Sequence, residues 1–247
     1  MTTPRAAASA PASGVAGAPA SQTLSRGIRV LEALADAREP LTIDELARRL
    51  ELHRSVVYRL LRTLEDHGLV ARDTAGRVQL GARLASLAAG VAHDLHAEAL
   101  PELTAIANEL GVTCFLTVLD RDECITLMSV EPRHAVAAVA QRPGARHSIT
   151  VGAPSKAILS ALSPAEWPVP VGDRLRAEVE EAARRGYATS HDEVIPTVQS
   201  VAVPLRLRAG QRPAAIAAVY VASPTAPEAI AARLERSATA IREALGG

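Results

Sequence analysis

Arg54, Ser55, Tyr58, Arg59 and Arg62 carry the densest chemistry in this 247-residue chain. They recur at i, i+1, i+4, i+5 and i+8, which is one face of an α-helix, and no acid lies between Leu52 and Leu64. The opposite face holds Val56, Val57, Leu60, Leu61 and Leu64, an apolar stripe that must meet a core. A helix that is apolar on one side and purely cationic and hydroxylic on the other can enter a DNA major groove. There arginine meets phosphates or guanine edges, and Ser and Tyr add shorter hydrogen bonds. The same pattern also suits an ordinary surface helix with solvated arginines, and charge alone leaves both readings open.

Catalysis has no comparable signature. Ser155 and Lys156 are adjacent rather than spaced as S-x-x-K, and no G-x-S-x-G, H-E-x-x-H or P-loop occurs. The histidines are scattered without a pairing pattern. His93 and His96 stand three apart with no third ligand at a useful spacing, so a solvated or packed pair outweighs a metal site. Cys114 and Cys124, with nine residues between them, lie on predicted strands and read as buried reduced thiols. The chain is therefore read as a non-enzyme without metal or cofactor.

The elements that must position the cationic face are legible around it. Thr42 and Glu45 form a T-x-x-E capping box, so a helix starts at Ile43 and buries Leu46, Ala47 and Leu50. Glu51-Leu52-His53 is the turn, the second helix follows, and Gly68 ends it as an αL cap. Val70–Asp73 and Arg77–Leu80 read as strands around a Thr74-Ala75-Gly76 turn. Helix, turn, helix and two-stranded wing make a winged helix-turn-helix, with Arg72 and Arg77 placed to touch the DNA backbone. Gln22–Asp36 is a preceding helix with Ile28, Leu31, Leu34 and Ala35 on one face. Arg26 on that helix, Thr42 and His53 complete the candidate DNA contacts, with Arg54, Ser55, Tyr58 and Arg59 as base and phosphate readers and Arg62, Arg72 and Arg77 as clamps.

Leu24–Glu32, the run LTIDELARRL and Arg54–Leu64 together closely resemble the isocitrate-lyase-regulator (IclR) family of bacterial transcription factors. The resemblance covers nearly everything after residue 21. It implies an α+β chain in which the N-terminal winged helix-turn-helix is joined by a linker helix to a GAF-like effector-binding domain. Its C-terminal signatures are Gly144 with Lys156-Ala157-Ile158-Leu159, Arg185-Gly186-Tyr187-Ala188 with Glu193, and Ser200–Pro204. Lys156 is the single lysine of the chain. The domains expected are a disordered Ala/Pro/Ser tail (1–21), the DNA-binding domain (22–82), a linker helix (83–98) and the effector domain (99–247).

Composition agrees with that division. The chain is 48% hydrophobic but 2% aromatic, so its cores must be built from Ala, Leu, Val and Ile, and its formal net charge is zero. Between Gln22 and Ala82 ten Arg face nine acids. DNA affinity must then come from local sorting of charge rather than an overall basic balance. Residues 1–21 are almost all Ala, Pro, Ser, Gly and Thr with one Arg, too polar and small to order themselves. No signal peptide pattern and no run approaching a membrane span is present, so a cytoplasmic protein without membrane contact is expected.

In the C-terminal half Pro101–Leu110 reads as a helix, and Thr113–Leu119, Cys124–Glu131 and Ala135–Gln141 as strands. Ile149–Leu162 is a loop entering a helix, 198–207 and 214–222 form a hairpin, and 227–245 is a closing helix. The family ligands implied are small organic acids held between that loop and the sheet, where a helix N-terminus suits a carboxylate. Carried across, the effector-binding positions are Ala153, Pro154 and Ser155 on the loop, with Ser190, Ser200, Ala218 and Tyr220 on the sheet. The last two assume a one-residue shift in the hairpin. Pro154 brings no N–H to that terminus. The resemblance implies a homodimer or tetramer on double-stranded operator DNA, more often a repressor. The alternative is a winged-helix interaction module that never reads DNA, which the Arg/Ser/Tyr face disfavours because a protein interface favours apolar residues.

Overall fold

The structure, a computed structural model, describes residues 21–37, 39–88, 93–134, 139–208 and 210–246. The chain divides into two compact units, residues 1–91 and 92–247. Of the expected tail, residues 1–20 lie outside the described residues, whereas Ser21 caps the first helix by accepting a hydrogen bond from the Leu24 N–H.

The first unit is α1 (Gln22–Ala35), α2 (Ile43–Leu50), α3 (Arg54–Asp66), β1 (Val70–Arg72) and β2 (Val78–Leu80), the two strands pairing antiparallel. The capping box forms at α2. The Glu45 N–H donates to Thr42 Oγ1 at 3.2 Å and the Thr42 N–H to Glu45 Oε2 at 2.7 Å. Glu51 takes a left-handed φ of 56° at the end of α2, which lets the chain reverse into α3 within three residues. Gly68, at φ 68°, terminates α3 as expected. Val30, Leu46, Leu50, Val57, Leu60, Leu61, Val70 and Val78 form one core beneath these elements. The inward face of α1 differs from the sequence reading. Gly27, Val30 and Leu34 are buried, while Ile28 is 47% and Leu24 65% exposed. The helix is turned to set its small residue Gly27 inward, which leaves a two-residue apolar stripe outside.

The expected linker helix is also different. α4 covers Arg83–Ala88 and α5 covers His93–Leu110, running through Pro101. The proline removes one N–H, but Leu95, Ala99, Leu103 and Ile106 make one unbroken buried stripe on both sides of it, and that packing outweighs a single lost bond. Residues 93–98 therefore belong to the second unit, and His93 and His96 lie exposed on its first helix.

The second unit adds β3 (Thr113–Asp120), β4 (Glu123–Val130), β5 (Arg146–Ser148), α6 (Ala153–Ser160), α7 (Asp173–Arg185), β6 (Ala188–His191), β7 (Gln199–Leu205), β8 (Ala214–Tyr220) and α8 (Pro227–Ala244). Six antiparallel strands run in the order β5-β4-β3-β8-β7-β6. α5 and α8 cover one face and α6 and α7 the other, so the sheet separates two cores. Alanine fills much of β8, where Ala215 and Ala217 face one layer and Ala214, Ile216 and Ala218 the other. Short side chains there let helices approach the sheet without aromatic filling. The strand expected at 135–141 is seen only at its end. Residues 135–138 lie outside the described residues, 139–141 are irregular, and the edge strand is Arg146–Ser148 instead. Pro143 and Gly144 turn the chain first, with the Gly144 N–H donating to Thr126 O at 2.8 Å, so the β4 edge is met only after that turn.

Candidate DNA interface and effector cavity

α3 presents the face that its spacing implied. Arg54, Ser55, Tyr58, Arg59 and Arg62 are all exposed, and Tyr58 keeps 52% of its surface in solvent. His53 caps this helix through Nδ1, which accepts from the Ser55 N–H at 3.3 Å and lies 2.8 Å from Ser55 Oγ. Arg54 spans back to Asp44 on α2 at 3.1 Å, an exposed pair that competes weakly with a phosphate. Arg26 sits half-buried on α1.

The remaining candidates have partners inside the protein. The Thr42 hydroxyl donates to Glu45 Oε2 at 2.9 Å, and the cap holds the Glu45 carboxyl below its usual range, chiefly through the Thr42 backbone N–H. Arg72 forms a fork on Glu65, 2.6 Å from Nε and 3.2 Å from the terminal nitrogen, tying the wing to α3. That hydrogen bond raises the Arg72 pKa further. Arg77 donates to the Pro40 carbonyl at 2.9 Å and ties the wing to the segment before α2. Among the candidate contacts the exposed cations thus concentrate on α3, and the wing arginines hold the wing in place.

In the second unit the predicted effector positions come only partly together. Pro154, Ser190 and Ser200 line one cavity of about 40 Å³, with Phe115, Gln141, His147, Gly152, Val198 and Val219. A strap spanning Asp192–Val198 closes it with Val194 and Ile195, which are 49% and 38% exposed. Asp192 and Thr197 bracket the strap at positive φ, 61° and 65°, the second costly for a β-branched residue. Gly152, at φ 87°, opens α6. A Cβ there would lie 3.0 Å from Val194 Cγ2 and 3.5 Å from His147 Nε2.

Ala218 and Tyr220 do not face this cavity, a correction to the sequence reading. Both belong to the core under α5 and α8, and Ala217 and Val219 face α6. The one-residue shift assumed in the hairpin was the error, since a slip of one residue sends every side chain to the other face. Tyr220 instead borders an adjoining open groove of about 680 Å³ along α7 and β6, which shares Ser190 and Ser200 with the cavity and also has Lys156 and Glu193 in its lining. Ser155 is turned away as well. Its hydroxyl donates to Ser148 O at 3.2 Å and lies 3.3 Å from Cys124 Sγ, which pins α6 to the sheet. Ala153 is buried in the core beside it. Both cysteines are buried and unpaired, and burial pushes their thiols up, Cys114 to about 12 and Cys124 to about 11.

The electrostatics of this site centre on Lys156. Its side chain is 5% exposed, and the ammonium meets Glu193 at 2.5 Å and Glu178 at 2.6 Å. The hydrogen bond from Lys156 holds the Glu178 carboxyl below its usual range. Glu193 also accepts from the Gly152 N–H at 2.9 Å. The helix terminus expected to take a ligand carboxylate is therefore met by a carboxylate of the protein's own strap. His147, Phe115 and the strap escaped the sequence reading. No spacing rule marks them, because three separate segments bring them together.

A winged helix-turn-helix with a cationic face, followed by a six-stranded α+β unit holding a small polar-edged cavity, is the architecture of a bacterial transcription regulator. The pattern of the IclR helix-turn-helix domain matches residues 23–74, and that of the bacterial transcriptional regulator IclR C-terminal domain matches residues 88–168. The chain is 31% identical over 223 residues to the glycerol operon regulatory protein of Streptomyces griseus, covering 82% of this chain and 85% of that one. It is 31% identical over 163 residues to the transcriptional repressor IclR of Escherichia coli, covering 64% and 57%. An IclR homologue from Microbacterium hydrocarbonoxydans, solved in complex with 4-hydroxybenzoate, superposes with a TM-score of 0.78 at 26% identity, over 91% of this chain and 99% of that one. The chain belongs to the IclR family and is a DNA-binding transcriptional regulator.

Proposed function

We propose that the protein is a cytoplasmic homo-oligomeric repressor whose grip on a pseudo-palindromic operator is set by a small organic molecule in the cavity of its second unit. The observation that carries the DNA reading is the exposed Arg54/Ser55/Tyr58/Arg59/Arg62 face on α3, opposite a fully packed apolar face. Two such helices enter successive major grooves about 34–36 Å apart. Arg54, Ser55, Tyr58 and Arg59 read bases and phosphates, and Arg62 and Arg26 add backbone contacts. His53 and Thr42 act by shaping the starts of α3 and α2. Arg72 and Arg77 act by holding the wing. The outward Leu24/Ile28 stripe on α1 supports pairing of two DNA-binding units, because exposed apolar residues one turn apart suit an interface better than water. Repression is taken from the E. coli relative, and a small-molecule effector from the M. hydrocarbonoxydans homologue. Ligand control requires that the effector prefer one arrangement of the paired domains over another. Among the described residues no helix is long and apolar enough to cross a membrane.

The test is binding of the purified protein to DNA upstream of its own gene across a salt series. Specific retention whose affinity falls steeply with rising salt supports the reading. Equal binding to random DNA removes the operator and favours an interaction module.

A further inference from the structure

The cavity wall holds one fully buried side-chain polar atom with no partner. His147 Nε2 is buried without a hydrogen bond, and of the three such side-chain atoms among the described residues it is the one in this cavity's wall. An orphaned polar atom of this kind is destabilising unless something else supplies the bond. The rest of the wall is mostly apolar, Phe115, Val198 and Val219 with the strap's Val194 and Ile195, and its other polar side chains are Gln141, Ser190 and Ser200. Gly152 leaves open the space beside Nε2 that a Cβ would occupy 3.5 Å away.

Resting on the effector reading above, we propose that His147 is the specificity-determining residue of this cavity, and that it selects a ligand presenting an uncharged hydroxyl rather than a carboxylate. The surrounding charges favour that choice. No Lys or Arg lines the cavity, and Lys156 on the adjacent α6 is already held between Glu178 and Glu193. Glu193 itself accepts from the Gly152 N–H at the cavity's edge. A ligand carboxylate would enter beside another carboxylate and find no unpaired cation in the lining. A hydroxyl can donate to or accept from imidazole nitrogen in either tautomer, whereas a carboxylate can only accept. Burial lowers the His147 pKa and so favours the neutral ring. Ser200 lies on the same wall but donates its proton to Ala218 O at 2.9 Å, so it offers only lone pairs.

The cavity of about 40 Å³ holds a group of a few heavy atoms. A ring needs on the order of 150 Å³, as dry cavities that bind benzene show. Two sources therefore share the chemistry. A short-chain alcohol fits with the strap in place, and a phenol fits once Val194 and Ile195 move aside.

Saturation-transfer NMR on the full-length protein at pH 7, titrated with propan-1-ol against propionate and phenol against benzoate, separates these cases. The expected result is that the alcohol or phenol of at least one pair binds about ten-fold more tightly than its acid. His147→Leu removes that advantage and leaves the acid unchanged, and His147→Gln restores part of it. Fluorescence of Trp167, the single tryptophan, reports that each variant is folded. Binding by propan-1-ol assigns the closed cavity, and binding by phenol alone assigns strap displacement. Tighter binding of the acids, or a preference that survives in both variants, overturns the role of His147 and leaves the effector reading intact. Binding of none of the four probes, with operator binding retained, overturns both.

Discussion

Replacing Lys156 with methionine is expected to destabilise the second unit by about 2–3 kcal/mol at pH 7. The ammonium is almost wholly buried and serves two carboxylates at 2.5 and 2.6 Å, joining α6 to α7 and to the strap. At an effective dielectric near 20, one close pair is worth about 4 kcal/mol of attraction before desolvation is charged against it. Removing one member of a buried pair typically costs ~3–5 kcal/mol, because the other charge is left without compensation. Here the two carboxylates retain 34% and 25% exposure, so water partly rehydrates them and the lower part of the range is expected. Methionine keeps most of the packing volume, so the loss reports charge rather than a cavity. Urea unfolding followed by Trp167 fluorescence is the assay. The indole Nε1 donates to Leu159 O on α6 at 3.1 Å, so the probe sits against the helix that carries Lys156. pH gives a second check. The Glu178 carboxyl is held below its ordinary 4.5, chiefly by the Lys156 hydrogen bond. A pKa depressed in the folded state gives stability that is complete above the unfolded value and lost as pH falls through the folded one. The difference between wild type and variant is thus full at pH 7 and shrinks below about pH 4.5. A loss under ~1 kcal/mol at pH 7, or one that does not change on acidification, refutes the reasoning.

Two further outcomes test the DNA interface. Arg59→Ala is expected to weaken operator binding by roughly 1–3 kcal/mol and to relax sequence preference at the position it reads, measured by gel shift on matched operator variants. Arg62→Met is expected to lower the salt slope of binding by about one, as the loss of a phosphate contact does, while Arg72→Met leaves the slope unchanged and lowers the stability of the first unit. Arg72 behaves so because Glu65 already holds both arms of its fork. A reduced salt slope for Arg72→Met returns that residue to the DNA.

Local rules carried the first unit. The T-x-x-E box at Thr42, the turn at Glu51–His53, Gly68 past the end of α3 and the Gly76 wing turn each act within four residues, and each formed where its chemistry places it. The stripe of Val57, Leu60 and Leu61 likewise fixed which face of α3 stays outside. Less was legible where distant packing competes with a local signal. Pro101 reads as a helix start, yet a buried stripe on both sides of it carries α5 straight through. Ile28 reads as inward, yet the fit of α1 on α2 and α3 turns it out.

The sequence by itself determined the family, the two kinds of domain and which helix carries the exposed cationic face, because periodicity and capping are short-range and survive without a partner. Tertiary structure alone decided which side chains share a cavity. Ala218 and Tyr220 were excluded by a register of one residue, which period-two alternation turns into opposite faces. His147 was brought in by pairing of β5 with β4, and Val194 by a strap that returns from β6. Lys156 stands out in sequence as a lone lysine, but its two carboxylate partners lie 22 and 37 residues downstream. Charge pairing across such distances follows from how helices settle on the sheet, and no local pattern encodes it.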